Sequence, residues 1–376
     1  MTTPAPSATE IRKGLAGVVV DTTAVSKVVP ETNSLTYRGY PVQDLCAHCS
    51  FEEVAYLLWY GELPTRGQLD LFSQRERAAR RADRALLDLV AQMPRSAHPM
   101  DVMRTVVSWL GARDPEEDAT DPRSLRAHGL RLLAVLPTVI AVDLRRRRGL
   151  DPIPPDHTRS YSENFLHMCF GEAAAADVRA FDTSMILYAE HSFNASTFTA
   201  RVVTSTTSDY YSAITAAIGA LKGPLHGGAN EAVMHHMLEI GDPARAADWV
   251  EARLEAKEKI MGFGHRVYKR GDSRVPTMDR AFRDVAAVHG GEKWVRMYDA
   301  MAAAMDARTG IKPNLDFPSG PTYHLLGFDV EFFTPLFVAS RVAGWTAHIM
   351  EQTASNALIR PLSAYDGVPQ REVKAS

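Results

Sequence analysis

Two histidines and one aspartate carry the chemistry that this sequence offers most plainly. His226 lies in GPLHGGANE (residues 223–231) and His265 in GFGHRVYK (residues 262–269). Glycine beside each allows positive φ and a close approach of ligand to backbone, as a substrate-facing turn requires. Asp316 lies in NLDFPSGP (residues 314–321), between Leu315 and Phe317 and bracketed by Pro313 and Pro318. A carboxylate on a stiff turn in apolar surroundings resists charge, and that makes it a stronger base than one in water. Such a base suits removal of a proton next to a carbonyl if a donor holds the developing enolate oxygen, and His226 or His265 fits that role. Each residue alone reads also as a helix cap, a polar niche filler or a turn aspartate that accepts its own amides.

A fourth polar segment, Glu190-His191-Ser192-Phe193-Asn194, and three arginines complete the set. Arg341 stands in the otherwise apolar or small stretch 336–345, where a guanidinium needs an anionic partner. Arg274, nine residues after His265, and Arg360, followed by Pro361, are further candidates for gripping carboxylates in bidentate fashion.

The elements that must position these groups read as helices. Ser50 with Glu53 makes a capping box, apolar residues run to Trp59, and Gly61 with Pro64 supplies the stop. Residues 68–91, 100–110, 125–144, 177–188, 208–221, 229–239, 249–259, 294–305 and 334–358 carry apolar residues at three- and four-residue intervals between Pro, Gly or Asp. Strand-like alternation is confined to the first 45 residues, where 18–20 and 35–37 suggest a small hairpin. Neither GxGxxG nor GxxxxGK[ST] occurs, so nucleotide hydrolysis and hydride transfer lose their usual scaffold.

Composition narrows the partners. The 376 residues are 45% hydrophobic, and 42 basic against 45 acidic residues give a net charge of -3. That is globular composition without the cation excess that grips nucleic acid or an anionic membrane, so a small-molecule partner is expected. Residues 1–12 read as a disordered tail with no signal-peptide pattern, and no apolar run approaches a membrane span, so the expected compartment is the cytoplasm. Cys46, Cys49 and Cys169 are too few for a disulfide framework. The CxxC spacing of the first two has no second half to complete a zinc site. The run Arg145 to Arg148 before Gly149 reads as a solvated helix C-terminus.

GPLHGGANE, GFGHRVYK and NLDFPSGP, in this order and spacing, resemble the citrate synthases, over roughly residues 14–362. Residues 14–21 and 193–201 look most like the 2-methylcitrate synthases of actinobacteria. The resemblance implies an all-α fold with a large helical domain (13–227 and 331–376), an inserted small helical domain (228–330), the site in the cleft between them, and a homodimer. It implies Asp316 as the base that takes the α-proton of an acyl-CoA, His226 as donor to the thioester carbonyl and His265 as acid on the oxaloacetate carbonyl. His191, Arg274 and Arg341 would hold the oxaloacetate carboxylates, with Arg360 reaching in from the other subunit. Coenzyme A would lie along Gly262, Phe263, Gly264, Arg266 and Lys269. No metal or prosthetic group is implied, and no NADH-binding extension.

The expected activity is therefore 2-methylcitrate synthesis from propionyl-CoA and oxaloacetate, with citrate formed from acetyl-CoA. Phe317, with Tyr323 beyond it, is the candidate for setting the depth of the acyl pocket. The alternatives are a citrate synthase proper, a non-catalytic CoA-binding regulatory paralogue, and a helical metalloenzyme using His226, His235, His236 and Glu231. The last lacks HExxH, and its adjacent histidines point to different helix faces.

Overall fold

The structure, a computed structural model, describes residues 11–29, 32–265, 267–268 and 271–373. Most of the expected tail, residues 1–10, lies outside them. Sixteen α-helices dominate the described residues, so the fold is all-α as expected. Three short antiparallel strands, β1 (Ser26–Val29), β2 (Ser34–Tyr37) and β3 (Tyr40–Pro41), make the one sheet among the described residues, with Val28 opposite Leu35. The expected hairpin keeps its second strand, where Leu35 and Tyr37 alternate inward. Its first strand is β1 and not residues 18–20, which are exposed.

Helices α1 (Val42–His48) and α2 (Phe51–Tyr60) follow directly. The capping box is present: Ser50 Oγ accepts from the Glu53 amide at 3.3 Å, and Glu53 Oε2 accepts from the Ser50 amide at 2.7 Å. Cys46 lies in the last turn of α1 and Cys49 just beyond it, both half-buried, and neither they nor the buried Cys169 form a disulfide.

Residues 68–91, expected as one helix, are two: α3 (Arg66–Ala79) and α4 (Arg84–Gln92). The break serves a buried arginine. Arg80 grips Glu76 at 2.7 Å and donates to the carbonyls of Asp156 and Arg159, while Asp83 starts the next helix by accepting the Leu86 amide at 2.8 Å.

After α5 (Pro99–Gly111) comes α6 (Pro122–Arg147), apolar and long enough to cross a membrane by length and composition, but 83% of its most apolar window is buried inside the protein. The arginine run at its end is solvated only in part: Arg148 is exposed as expected, whereas Arg145, Arg146 and Arg147 are half-buried. Arg146 and Arg147 share Asp143 at 2.6 and 2.8 Å, and the four arginines donate to the carbonyls of Met93, Arg95, Ala97, Cys169 and Gly327. Loop carbonyls without partners of their own recruit these cations.

The remaining helices are α7 (Tyr161–Phe170), α8 (Ala175–Tyr188), α9 (Ala195–Ser205), α10 (Tyr210–Leu221), α11 (Ala229–Ile240), α12 (Ala246–Glu255), α13 (Val275–His289), α14 (Glu292–Thr309), α15 (Asp316–Leu325) and α16 (Phe333–Ala354). α16 is buried along nearly its whole length against α6 and α9. It stops at Ala354, short of the expected Leu358. α9 packs on α10, α12 packs on α14, α15 packs on α11 and α13, and α13 also rests on α8. The polar segments singled out in the sequence sit where these helices begin and end.

Candidate active site

Asp316 is the first residue of α15, not a member of a free-standing turn as expected. Pro318 is tolerated because the first helical turn has no intrahelical acceptors for its amides. The Asn314 side chain fixes the entry: its oxygen accepts the Asp316 amide at 3.1 Å and its nitrogen donates to Gly264 O at 2.9 Å. The Asp316 carboxyl accepts a hydrogen bond from the Tyr188 hydroxyl at 2.7 Å. Burial pushes its pKa up to about 6 against the pull of that hydroxyl and of Arg274. Asp316 is thus a carboxylate of raised basicity, as the apolar flanks imply.

His226 and His265 are held in opposite tautomers. The Ser196 amide donates to Nε2 of His226 at 3.2 Å, and the Ser196 hydroxyl lies 2.8 Å from the same nitrogen. Trp345 Nε1 donates to that hydroxyl at 3.2 Å. An Nε2 that accepts leaves the proton of a neutral imidazole on Nδ1. In His265 the amides of Val267 and Tyr268 donate to Nδ1 at 3.0 and 3.2 Å, so the proton resides on Nε2. Burial, reinforced by Arg341 for His226 and by Arg274 for His265, lowers the pKa values to about 3 and about 4. Both rings are neutral near pH 7, each presenting one N–H.

The third group consists of one buried histidine and two buried arginines. His191 lies obliquely against His265 with centroids 5.1 Å apart, and its Nε2 is buried without a partner among the described residues. Arg341, 1% exposed, donates from Nε to Tyr188 O at 2.6 Å while its Nη1 is buried and has no partner among the described residues. Burial lowers its pKa to about 10, and the buried Glu190 carboxylate opposes that. Arg274, just before α13, is bound to Asp272 through Nε at 2.9 Å and Nη2 at 2.7 Å. Its Nη1 has only a 3.5 Å contact to Leu187 O. Buried polar nitrogens without partners are costly unless a ligand satisfies them.

Glu190 holds the His191 loop. Its Oε1 accepts from Ser26 Oγ at 2.8 Å, from His348 Nε2 at 2.9 Å and from the Ser192 amide, and Ser192 takes a positive φ of 52°. α16 passes this loop at Gly344, where a Cβ would fall against the Ala189 carbonyl and the Glu190 carboxylate.

The other expected residues fare differently. Gly262 and Gly264 have φ of 89° and 76°, and a Cβ on Gly262 would meet Val233 and Phe317. The loop is zipped to residues 311–314: Gly264 donates to Lys312 O, the Asn314 amide donates to Gly262 O, and Phe263 bridges Pro313. Arg266 and Lys269 lie outside the described residues. Arg360 is exposed, six residues beyond the end of α16.

Phe317 is not a pocket wall. It is fully buried between Tyr298 and Phe263, each 4.4 Å away by ring centroids, and Tyr323 is core beside Phe333 and Phe181. The apolar ring at the site is Phe337, 4.3 Å from Tyr188, 6.1 Å from His226 and 4.6 Å from the Arg341 guanidinium. Sequence reasoning passed over Phe337, Tyr188, Ser196 and Asp272. The one available signal was that Phe337 precedes Arg341 by one helical turn. The metalloenzyme set is dispersed, with Glu231 on His98 and Thr334 and with His236 against Trp249.

Known proteins share both sequence and shape. The sequence model of the family "Citrate synthase, C-terminal domain" matches residues 14–362. A 2-methylcitrate synthase from Mycobacterium tuberculosis is 67% identical over 363 residues, covering 96% of this chain and 92% of the relative. A citrate synthase from Mycolicibacterium smegmatis is 66% identical over 99% of this chain and 100% of its own length. Among solved structures, citrate synthase from Thermoplasma acidophilum in ternary complex with carboxymethyl coenzyme A and oxaloacetate superposes with a TM-score of 0.90 at 32% identity, covering 97% of this chain and 98% of that one.

Proposed function

The chain belongs to the citrate synthase family, and from that premise we propose that it condenses propionyl-CoA with oxaloacetate to give 2-methylcitrate, and acetyl-CoA to give citrate. The observation that carries the reading is the meeting of one carboxylate of raised pKa, two neutral histidines with fixed tautomers, and buried nitrogens of His191 and Arg341 that have no partner among the described residues.

In this reading Asp316 removes the α-proton of the acyl-CoA. The His226 Nδ1–H donates to the thioester oxygen as it gains enolate character. A neutral imidazole suits this task, since its weak acidity better matches an enol than an imidazolium would. The nucleophilic α-carbon then attacks the ketone of oxaloacetate, and the His265 Nε2–H donates to the ketone oxygen as it becomes a hydroxyl. Water cleaves the thioester and releases CoA. The thioester supplies the driving force, so no metal or prosthetic group is needed.

His191, Arg274 and Arg341 hold the two oxaloacetate carboxylates, which also polarises the ketone that His265 meets. Arg360 contributes from the partner protomer of a homodimer. Coenzyme A follows the loop at 262–264, with its phosphates toward Arg266 and Lys269. The small domain over 228–330 bears His265, Arg274 and Asp316, and the remaining chain bears His191, His226 and Arg341, so substrates bind where the two meet. The compartment is the cytoplasm.

The identity with the M. smegmatis citrate synthase favours one second reading, a preference for acetyl-CoA. One methylene in an apolar pocket is worth only about 1–3 kcal/mol, so both donors are expected to react. The deciding experiment is kcat/KM for the two donors at fixed oxaloacetate. Equal or higher efficiency with propionyl-CoA supports the first reading. A preference for acetyl-CoA beyond about tenfold, or about 1.4 kcal/mol, supports the second. No turnover with either, despite CoA binding, leaves a regulatory paralogue.

A further inference from the structure

We propose that Asp272 is a positioning residue of this site: a single buried carboxylate that sets the Arg274 guanidinium for the substrate and fixes the backbone from which Asp316 projects. Oδ1 of Asp272 accepts from Nε of Arg274 at 2.9 Å and from the Arg274 amide at 3.1 Å. Oδ2 accepts from Nη2 of Arg274 at 2.7 Å and from the Leu315 amide at 3.1 Å. Asp272 is only 3% exposed, so these four donors stand in for water.

The Leu315 contact spans 43 residues of chain and ends one residue before the base. It extends the zip between residues 262–264 and 312–314, so that His265, Arg274 and Asp316 belong to one hydrogen-bonded block. With its Nε and Nη2 edge locked onto Asp272, the Arg274 plane is fixed and Nη1 is the corner left for a substrate carboxylate. Burial works to raise the Asp272 pKa, but Arg274 outweighs it and holds the carboxyl well below the usual range. Asp272 therefore stays charged, and its charge works to raise the pKa of Asp316.

The inference rests on reading Arg274 as an oxaloacetate contact and Asp316 as the base. Asp272→Asn preserves shape but removes the charge and turns one acceptor into a donor that faces Arg274 or Leu315. Steady-state kinetics across pH are expected to show an oxaloacetate KM raised about tenfold or more, a lower kcat, and an acid limb of kcat moved to lower pH, because Asp316 loses a like-charge neighbour.

A merely structural role would lower Tm and the active fraction while leaving the KM and the acid limb of the surviving enzyme in place, and that result overturns the proposal. Should the Asn variant not fold, Asp272→Glu keeps the charge but displaces the fork. A raised KM with the wild-type acid limb is then expected, and an unchanged KM overturns the proposal. A wild-type chain that does not turn over oxaloacetate refutes the functional reading, whereas an active wild type with an indistinguishable Asp272 variant refutes only the role of Asp272.

Discussion

Tyr188 and Asp316, 128 residues apart in sequence, meet through a hydrogen bond of 2.7 Å from the phenol to the carboxyl. α8 ends at Tyr188 and α15 begins at Asp316, so the bond joins the helix leading to the His191 loop with the helix bearing the base. The phenol is itself held protonated, its pKa raised by burial and by the Asp316 charge. A donor that stays protonated stabilises the ionised carboxylate and offsets part of the burial penalty.

Tyr188→Phe is therefore expected to raise the Asp316 pKa and move the acid limb of kcat/KM upward from about 6, by about one pH unit for the loss of one hydrogen bond to a charged group. The measurement is a pH–rate profile of both proteins. An acid limb that stays in place means that the phenol does not tune the base.

Asp316→Asn is expected to abolish turnover by several orders of magnitude, and with it exchange of the acyl-CoA α-proton in the presence of an oxaloacetate analogue. It should also stabilise the fold. A carboxyl whose pKa rises to about 6 on folding disfavours the folded state above that pH, by up to about 3 kcal/mol. The amide carries no such penalty. Melting curves should show the variant above wild type at pH 7 and the difference closing as pH falls below the unfolded carboxylate pKa of about 4. Exchange at the wild-type rate would remove Asp316 from the base role.

Arg341→Leu is expected to raise the oxaloacetate KM sharply, by about 2–4 kcal/mol of lost charge-assisted contact. Arg360→Leu should do the same through the partner's site. Mixing Asp316→Asn chains with Arg360→Leu chains is expected to restore activity in part, because one of the two sites in the mixed dimer carries both native residues. Mixed dimers with no activity would place Arg360 in its own protomer's site, and an Arg360→Leu homodimer with wild-type KM would place it in none.

Gly344→Ala places a methyl group against the Ala189 carbonyl and the Glu190 carboxylate. Backbone cannot yield as a flexible side chain does, so a loss of about 1–3 kcal/mol is expected. Since the displaced residues precede His191, the oxaloacetate KM should rise together with the fall in Tm. A stable variant with normal KM would show that α16 and the His191 loop separate freely.

Most helices with one apolar face were legible in the sequence, although α13, which buries Met278, Phe282 and Val285 on one side, was passed over together with α7 and α9; α15, which breaks local rules, was not legible. α15 contains Pro318, Gly320 and Pro321 and reads as a turn, yet it is helical because α11 and α13 enclose it, and Gly320 lets the Asn230 carbonyl come close. His226, His265, Asp316 and Arg341 were legible because each is a polar group in an unusual local setting. Tyr188, Ser196 and Asp272 look ordinary locally. Their significance lies in contacts across 128, 30 and 43 residues, which no local pattern encodes.

The three cysteines bear on how the reaction can be followed. Burial raises the pKa of all three thiols, and only thiolates react quickly with disulfide reagents. The CoA released by thioester cleavage carries a thiol open to water. A chromogenic disulfide present during turnover therefore registers product against a quiet protein background, and the native enzyme serves in a continuous assay without cysteine replacement.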